Sequence, residues 1–332
     1  MKPDPMATRN AALDFTRGAL VLCMIVYHAV NYSGADPAIL RHLRFLPGAF
    51  VFLAGFGVGR IYLPRWVAGD GGVARRLWWR GVRILVLFLA LNVIAHALMP
   101  ASYNRRLELA DFAERLDVIL GPGGVRAAVF GVLLPIAYVL AACGAALALG
   151  RRGRQAVLLV GALGFGSAAA LATVSSLPFN LELAGLGFLG VLSGCFAFGR
   201  APSAFRHPLT LLLVFTALQA VLTRGEPGFA LTTSLITVTL ALLYVVGRRV
   251  SSEAPGLTVI LLLGRNSLPA YLFQIAALQL LFRTMRASGL GAPDLPLAIA
   301  FTAAATTAGI AATSALRPRL PLAERTYRAL FA

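Results

Sequence analysis

The chain has 332 residues, of which 58% are hydrophobic and only 13% charged, with a mean hydropathy of +0.79. A soluble domain runs nearer half apolar and a quarter charged, so this composition excludes an ordinary soluble protein and points to the membrane. A formal net charge of +17, from 30 Lys and Arg against 13 Asp and Glu, would suggest nucleic acid in a soluble chain. Here the basic residues sit between apolar runs, where topology places them, with no aromatic interleaving, and no nucleic-acid partner is expected.

The apolar residues gather in stretches of roughly the length that crosses a bilayer. In chain order they predict spans at Ala19–Ser33, Leu46–Leu63, Val82–Met99, Val125–Leu149, Ala156–Val174, Leu183–Phe198, Leu209–Leu222, Phe229–Val246, Leu268–Thr284 and Leu297–Leu316. The chain therefore reads as all-α: a polytopic integral membrane helical bundle of about ten transmembrane helices, a single domain over residues 1–332. No cleavable leader is evident ahead of the first run, which is read as a retained span. With the N-terminus inside, the inner segments collect most of the Arg and Lys: Lys2, Arg9 and Arg17, then Arg60 to Arg83, Arg151 to Arg154, Arg200 and Arg206, Arg248 to Arg265, and Arg317 to Arg328. That bias puts both termini in the cytoplasm, with a bacterial inner membrane as the expected location.

Two segments differ from simple spans. In residues 101–124, Leu107, Leu109, Phe112, Leu116 and Ile119 recur at near-helical spacing, which fits an interfacial amphipathic helix. Gly121-Pro122-Gly123-Gly124 then breaks the chain. Leu257–Asn266 is apolar but too short to cross, and it predicts a half-span or interfacial piece leading into span nine. The glycines Gly48, Gly55, Gly57 and Gly59 predict close helix approach in span two. Cys23, Cys143 and Cys195 lie in apolar runs without metal-ligand or paired spacing, so no metal site is expected and they read as small core residues.

Ionisable groups inside a span are costly and direct attention to span one. Arg17 and His28 are eleven residues apart, about three whole turns, and Asp14, Asn31 and Tyr32 extend the same stripe. The rise between Arg17 and His28 is about 16 Å, so the guanidinium sits at the inner interface and the imidazole deep in the membrane. An Arg at the inner mouth suits a phosphate-rich ligand. A His, whose ordinary pKa is near working pH, can accept a proton from a hydroxyl or amine. A long ligand with an anionic head and a reactive tail, such as acyl-CoA, fits both. Alone, Arg17 is also an ordinary topology signal; the shared stripe is what joins it to His28. Arg76, Arg80 and Arg83 share a face entering span three, beside Trp78 and Trp79. They serve either as a nucleotide-phosphate face or as positive-inside charge with an interfacial tryptophan belt. His96 is expected to bond a neighbouring helix, and His42 and His207 to be loop residues without company. Asn180 and Glu182 at an outer mouth read as a solvated loop, with contact to a polar acceptor as the alternative.

The run Arg9-Asn10-Ala11-Ala12-Leu13-Asp14-Phe15-Thr16-Arg17-Gly18, followed by Met24-Ile25-Val26-Tyr27-His28, resembles the opening of the transmembrane acyltransferase superfamily. That group includes acyltransferase family 3, the osmoregulated-glucan succinyltransferases and the heparan-alpha-glucosaminide N-acetyltransferase-like proteins. Phe50-Val51-Phe52-Leu53-Ala54-Gly55-Phe56 is similar to its second span. Leu263-Gly264-Arg265-Asn266-Ser267-Leu268-Pro269-Ala270-Tyr271-Leu272-Phe273 is similar to the motif before its penultimate span. Many members carry His where this chain has Gln274, which fits the N-acetyltransferase-like branches better. Arg75, Arg76 and Arg80 match the inner-loop arginines of the family only in part.

The resemblance implies transfer of an acyl group from cytoplasmic acyl-CoA, with acetyl-CoA the expected donor, to an extracytoplasmic glycan or similar hydroxyl or amine. His28 would be the general base and Asp14 would orient Arg17. Arg17, Arg76, Arg80 and Arg265 would contact the donor; Asn31, Tyr32 and Gln274 would meet substrate. The expected partners are membrane lipid, the donor, the acceptor and, as an open possibility, a second copy of the chain in a homodimer. No soluble module is expected to handle the acceptor. A transporter or flippase for a small anion or lipid-linked sugar is the alternative. Against it, no repeat and no Gly/Pro-broken helix pair in matching positions is visible.

Overall fold

The computed structural model describes residues 10–34, 37–98, 101–102, 105–106, 109–124, 128–196, 207–223, 225, 228–249, 255–321, 324–325 and 327. The protein is an all-α polytopic membrane protein. Among the described residues the exception to helix and turn is a two-residue antiparallel ladder, β1 (Ala101–Ser102) with β2 (Arg105–Arg106). The first helices are α1 (Ala11–Ser33), α2 (Pro37–Leu43) and α3 (Leu46–Gly57), with a π-turn at Val58–Tyr62 leading into α4 (Leu63–Val67). Then come α5 (Val73–Leu98), α6 (Leu109–Glu114), α7 (Leu116–Leu120), α8 (Leu133–Leu147), α9 (Gly153–Ala172) and α10 (Phe179–Cys195). The last five are α11 (Pro208–Leu222), α12 (Phe229–Arg249), α13 (Pro255–Arg265), α14 (Ser267–Ala287) and α15 (Leu295–Leu316).

Six described helical segments are long and apolar enough to cross a membrane: Ala11–Ser33, Ala38–Val67, Val73–His96, Gly150–Ala172, Phe229–Arg249 and Leu295–Leu316. Gly256–Arg265 and Ser267–Ala287, bent by 101° at their junction, make a seventh if counted as one span. The bend falls where a half-span or interfacial piece is expected ahead of span nine. Three shorter apolar helices, α8, α10 and α11, stand where spans four, six and seven are expected. They have 15, 17 and 15 residues, fewer than the roughly 20 of a full crossing. Length and composition thus give six or seven spans where ten apolar runs were counted.

Several boundaries move for local reasons. α1 begins at Ala11 rather than Ala19, because the Asn10 side chain accepts from the N–H groups of Ala12 and Leu13 and caps it. Among the described residues span four is helical from Leu133: Gly123 and Gly124 have φ of 73° and Phe130 of 60°, which no helix continues through. The predicted ends at Val125, Met99 and Phe198 lie outside the described residues, as do Leu107, Lys2, Arg9, Arg200, Arg206 and Arg328. The amphipathic stretch folds as two short helices, α6 and α7, whose Phe112 and Ile119 are buried inside the protein.

The chain divides into two compact units. One comprises Met1–Leu46, Pro202–Gly225 and Ser234–Phe331; the other comprises Pro47–Ala201, Glu226–Thr233 and Ala332. In the second unit small residues bring backbones together, as expected of membrane helices. A Cβ on Gly55 of α3 would lie 1.9 Å from the carbonyl oxygen of Gly187 on α10, and one on Gly190 2.1 Å from that of Phe52. Asn180 is not in a solvated loop: it is buried, and its Nδ2 donates to the carbonyls of Ile119 and Gly121 at 2.9 Å each. Asn92 similarly clamps the Val129 backbone, accepting from its N–H at 2.7 Å and donating to its oxygen at 2.9 Å. His96 bonds its own helix, Nδ1 to the Asn92 oxygen at 2.6 Å, rather than a neighbour, and its ring lies 5.1 Å from that of Phe112.

In the first unit α1 packs on α13, α14 and α15, which also touch one another. His42 has company: it lies on α2, with Nδ1 2.8 Å from Gln219 Oε1 of α11, while Gln219 Nε2 donates back to its carbonyl. The cysteines are free thiols; Cys143 is buried, and Cys23 and Cys195 are half-buried.

Candidate active site

α1 is uninterrupted from Ala11 to Ser33, so Arg17 and His28 keep their three-turn register on one helix. The lower part of that helix is held by α13. A Cβ on Gly18 would sit 1.9 Å from the Ile260 oxygen, and one on Gly264 1.7 Å from the Asp14 oxygen, so the two backbones are in contact. Asn10 Nδ2 donates to the Tyr244 hydroxyl at 3.2 Å, and Gly247 meets the ring of Phe15. Arg17 is half-buried on this segment, while Asp14 is only 3% exposed.

Asp14 Oδ2 is 3.7 Å from Nε of Arg265, the last residue of α13. Sequence reasoning placed Asp14 with Arg17 alone and missed this link. Arg265 is also next to Asn266, whose Oδ1 accepts from the Tyr327 hydroxyl at 2.8 Å. Tyr327 in turn stacks under Arg317, whose guanidinium carbon is 3.5 Å from the ring centroid. Arg317 donates from Nε to Glu324 Oε2 at 2.7 Å, and that hydrogen bond holds its pKa above the usual arginine range. Three arginine and tyrosine side chains thus converge around the junction of α13 and α14.

Two turns and more above, His28 sits between aromatic rings. Its centroid is 5.3 Å from that of Tyr27, edge-on, and 5.9 Å from that of Tyr271 on α14. Its Nε2 is buried with no hydrogen-bond partner among the described residues. Tyr32 is half-buried and its hydroxyl accepts from Gln279 at 2.5 Å, with the Phe282 ring 5.7 Å away. Asn31, on the same stripe by count, is exposed at the helix end. Gln274 is fully buried, and neither Oε1 nor Nε2 has a partner among the described residues. The structure therefore gathers Asp14, Arg17, His28, Tyr32, Arg265 and Gln274 in one unit, on α1, α13 and α14.

Arg76 and Arg80 belong to the other unit, on α5. Arg76 is exposed and pairs with Asp70, so a carboxylate already occupies it. Arg80 is half-buried and donates from Nη1 to the Tyr62 hydroxyl at 2.6 Å. Arg83 is exposed, and Trp78 and Trp79 are 45% and 52% exposed, as an interfacial belt would be. No group of three or more His, Cys, Asp or Glu that could hold a metal ion occurs among the described residues.

Residues 9–118 match a family model described as OpgC protein. The matched stretch is about a third of the chain and takes in all of α1, with Asp14, Arg17 and His28, as well as Arg76 and Arg80. OpgC is an osmoregulated periplasmic glucan succinyltransferase, so the match supports kinship with a membrane acyltransferase-like family. No curated protein and no solved structure matches the chain.

Proposed function

We propose that this protein is a membrane acyltransferase. It takes an acyl group from cytoplasmic acyl-CoA, acetyl or succinyl, and passes it to a hydroxyl or amine of a glycan on the far side of a bacterial inner membrane. The observation that carries the reading is the α1 stripe, with a half-buried Arg17 near one end and, three turns away, a buried His28 Nε2 that has no partner among the described residues. The family match over the same helix supports it. The CoA phosphates meet Arg17 at the inner mouth, with Arg265 close by through Asp14. The pantetheine arm runs along α1 and brings the thioester to His28. His28 Nε2 removes the acceptor proton as the acceptor oxygen or nitrogen attacks the thioester carbon, and returns it to the departing CoA sulfur. Asn31 and Tyr32, beyond His28, face the acceptor. Counted as crossings, the short helices α8, α10 and α11 keep the span number even, with both termini in the cytoplasm.

The 101° break between α13 and α14 also favours a second reading, since transporters build substrate sites from broken helices. One experiment separates them. Purified wild-type protein is incubated with acetyl-CoA or succinyl-CoA and an envelope glycan extract, and free CoA is measured. The acyltransferase releases CoA, His28→Ala does not, and Arg17→Ala raises the donor KM by roughly ten- to a hundredfold, as for the loss of a charge-assisted contact. A transporter binds neither donor and releases nothing.

A further inference from the structure

On α14 and α15, the helices packed against α1, lie buried polar groups that the general base and the donor contacts leave without a role. Gln274 of α14 is fully buried with both amide atoms unpartnered among the described residues. Thr302 and Thr306 of α15 are also fully buried, and each Oγ1 lacks a partner there. A helix threonine normally hands its hydroxyl to the carbonyl four residues back. Thr16, Thr216, Thr233, Thr239 and Thr313 all do so, at 2.7–2.9 Å. Thr302 and Thr306 do not, so their hydroxyls are free to serve a ligand.

The three helices bring these groups together. Thr302 and Thr306 are one turn apart on a buried stripe of α15 with Ala298 and Ile310. α1, α14 and α15 each pack against the other two. Phe273 lies on Gly309, where a Cβ would sit 3.0 Å from its ring. Gln274 is the next residue, and Thr306 is one turn from Gly309, which sets amide and hydroxyl within about 5 Å in height. Gln274 is also one turn beyond Tyr271, whose ring faces His28.

We infer that Gln274 and Thr306 form the pocket for the carbonyl oxygen of the transferred acyl group, with Thr302 one turn further along the same lining, an assignment that rests on the acyltransferase reading. The set offers neutral donors, which suits an uncharged oxygen rather than a phosphate. Its atoms are shut from solvent, which suits a slender thioester rather than a sugar ring. As the acceptor attacks, the carbonyl π electrons move onto its oxygen. Gln274 Nε2 donates to that oxyanion, and the hydroxyls of Thr302 and Thr306 add to its field. Collapse re-forms the carbonyl and breaks the C–S bond, and the thiolate takes the proton held on His28.

The test uses full-length protein with acetyl-CoA and succinyl-CoA as donors, reading kcat, donor KM and thermal midpoint. Gln274→Leu is expected to lose about 10²- to 10³-fold in kcat with little change in donor KM. Gln274→His, which keeps an N–H donor at that turn, recovers part of the loss. Thr302→Val and Thr306→Val each lose roughly five- to tenfold in kcat without lowering the midpoint, because removing a buried hydroxyl that has no partner among the described residues breaks no bond. Active wild type with all four variants at wild-type kcat overturns the pocket alone, as does a loss that tracks a falling midpoint. A wild type that releases CoA from neither donor overturns the acyltransferase reading, and the pocket with it.

Discussion

Gly264 and Gly18 are the residues where α1 and α13 touch backbone to backbone, and neither has room for a methyl group. Gly264→Ala or Gly18→Ala must push the helices apart, at about 1–3 kcal/mol each or more. Asp14→Asn at the same crossing removes an ion pair with a half-exposed Arg265, and solvent screening limits that loss to under about 1 kcal/mol. Thermal midpoints in detergent therefore rank the glycine variants well below Asp14→Asn; the reverse order contradicts the packing described. The stripe of Arg17 and His28 could be read directly from the sequence, because helical period alone sets it. The Arg265 partner of Asp14 could not, since nothing local to α1 announces a residue brought in by α13. Asn180 and His42 read as loop residues for the same reason: each is satisfied by an element distant in sequence.

The joint between α13 and α14 acts as a unit. Gly264-Arg265-Asn266 marked it in the sequence as a place where an apolar helix stops. What fixes its angle was hidden: Asn266 Nδ2 donates to the Leu262 oxygen at 3.0 Å, while its Oδ1 accepts from Tyr327. Removing the shared bond by Asn266→Ala or Tyr327→Phe is expected to cost about 1 kcal/mol. The two changes together are expected to cost less than the sum of each alone, since they break one bond. A strictly additive double variant in denaturation measurements contradicts that coupling. The short helices α8, α10 and α11 show the limit of span counting. Apolar composition located all three, but composition does not report where a helix starts, and the turns at Gly123, Gly124 and Phe130 trim α8 from its front.

At the scale of the whole molecule, membrane character follows from composition, and the all-α architecture follows from the need to satisfy every backbone group inside the bilayer. Sidedness is a separate proposition, carried by the arginine bias. In a variant lacking its native cysteines, a cysteine at Ser288, after α14, is expected to react with an impermeant maleimide added to intact spheroplasts. One at Arg152, before α9, is expected to react only after lysis. Labelling in the opposite sense puts the donor arginines on the wrong side for cytoplasmic acyl-CoA. Sidedness and chemistry meet in the product. The most direct test is mass spectrometry of envelope glycans from cells carrying the wild-type protein or His28→Ala at equal membrane levels. The wild type is expected to add the mass of one acyl group to a glycan, and the variant to leave that glycan unmodified. Identical spectra from the two contradict the assignment of acyl transfer to this helix.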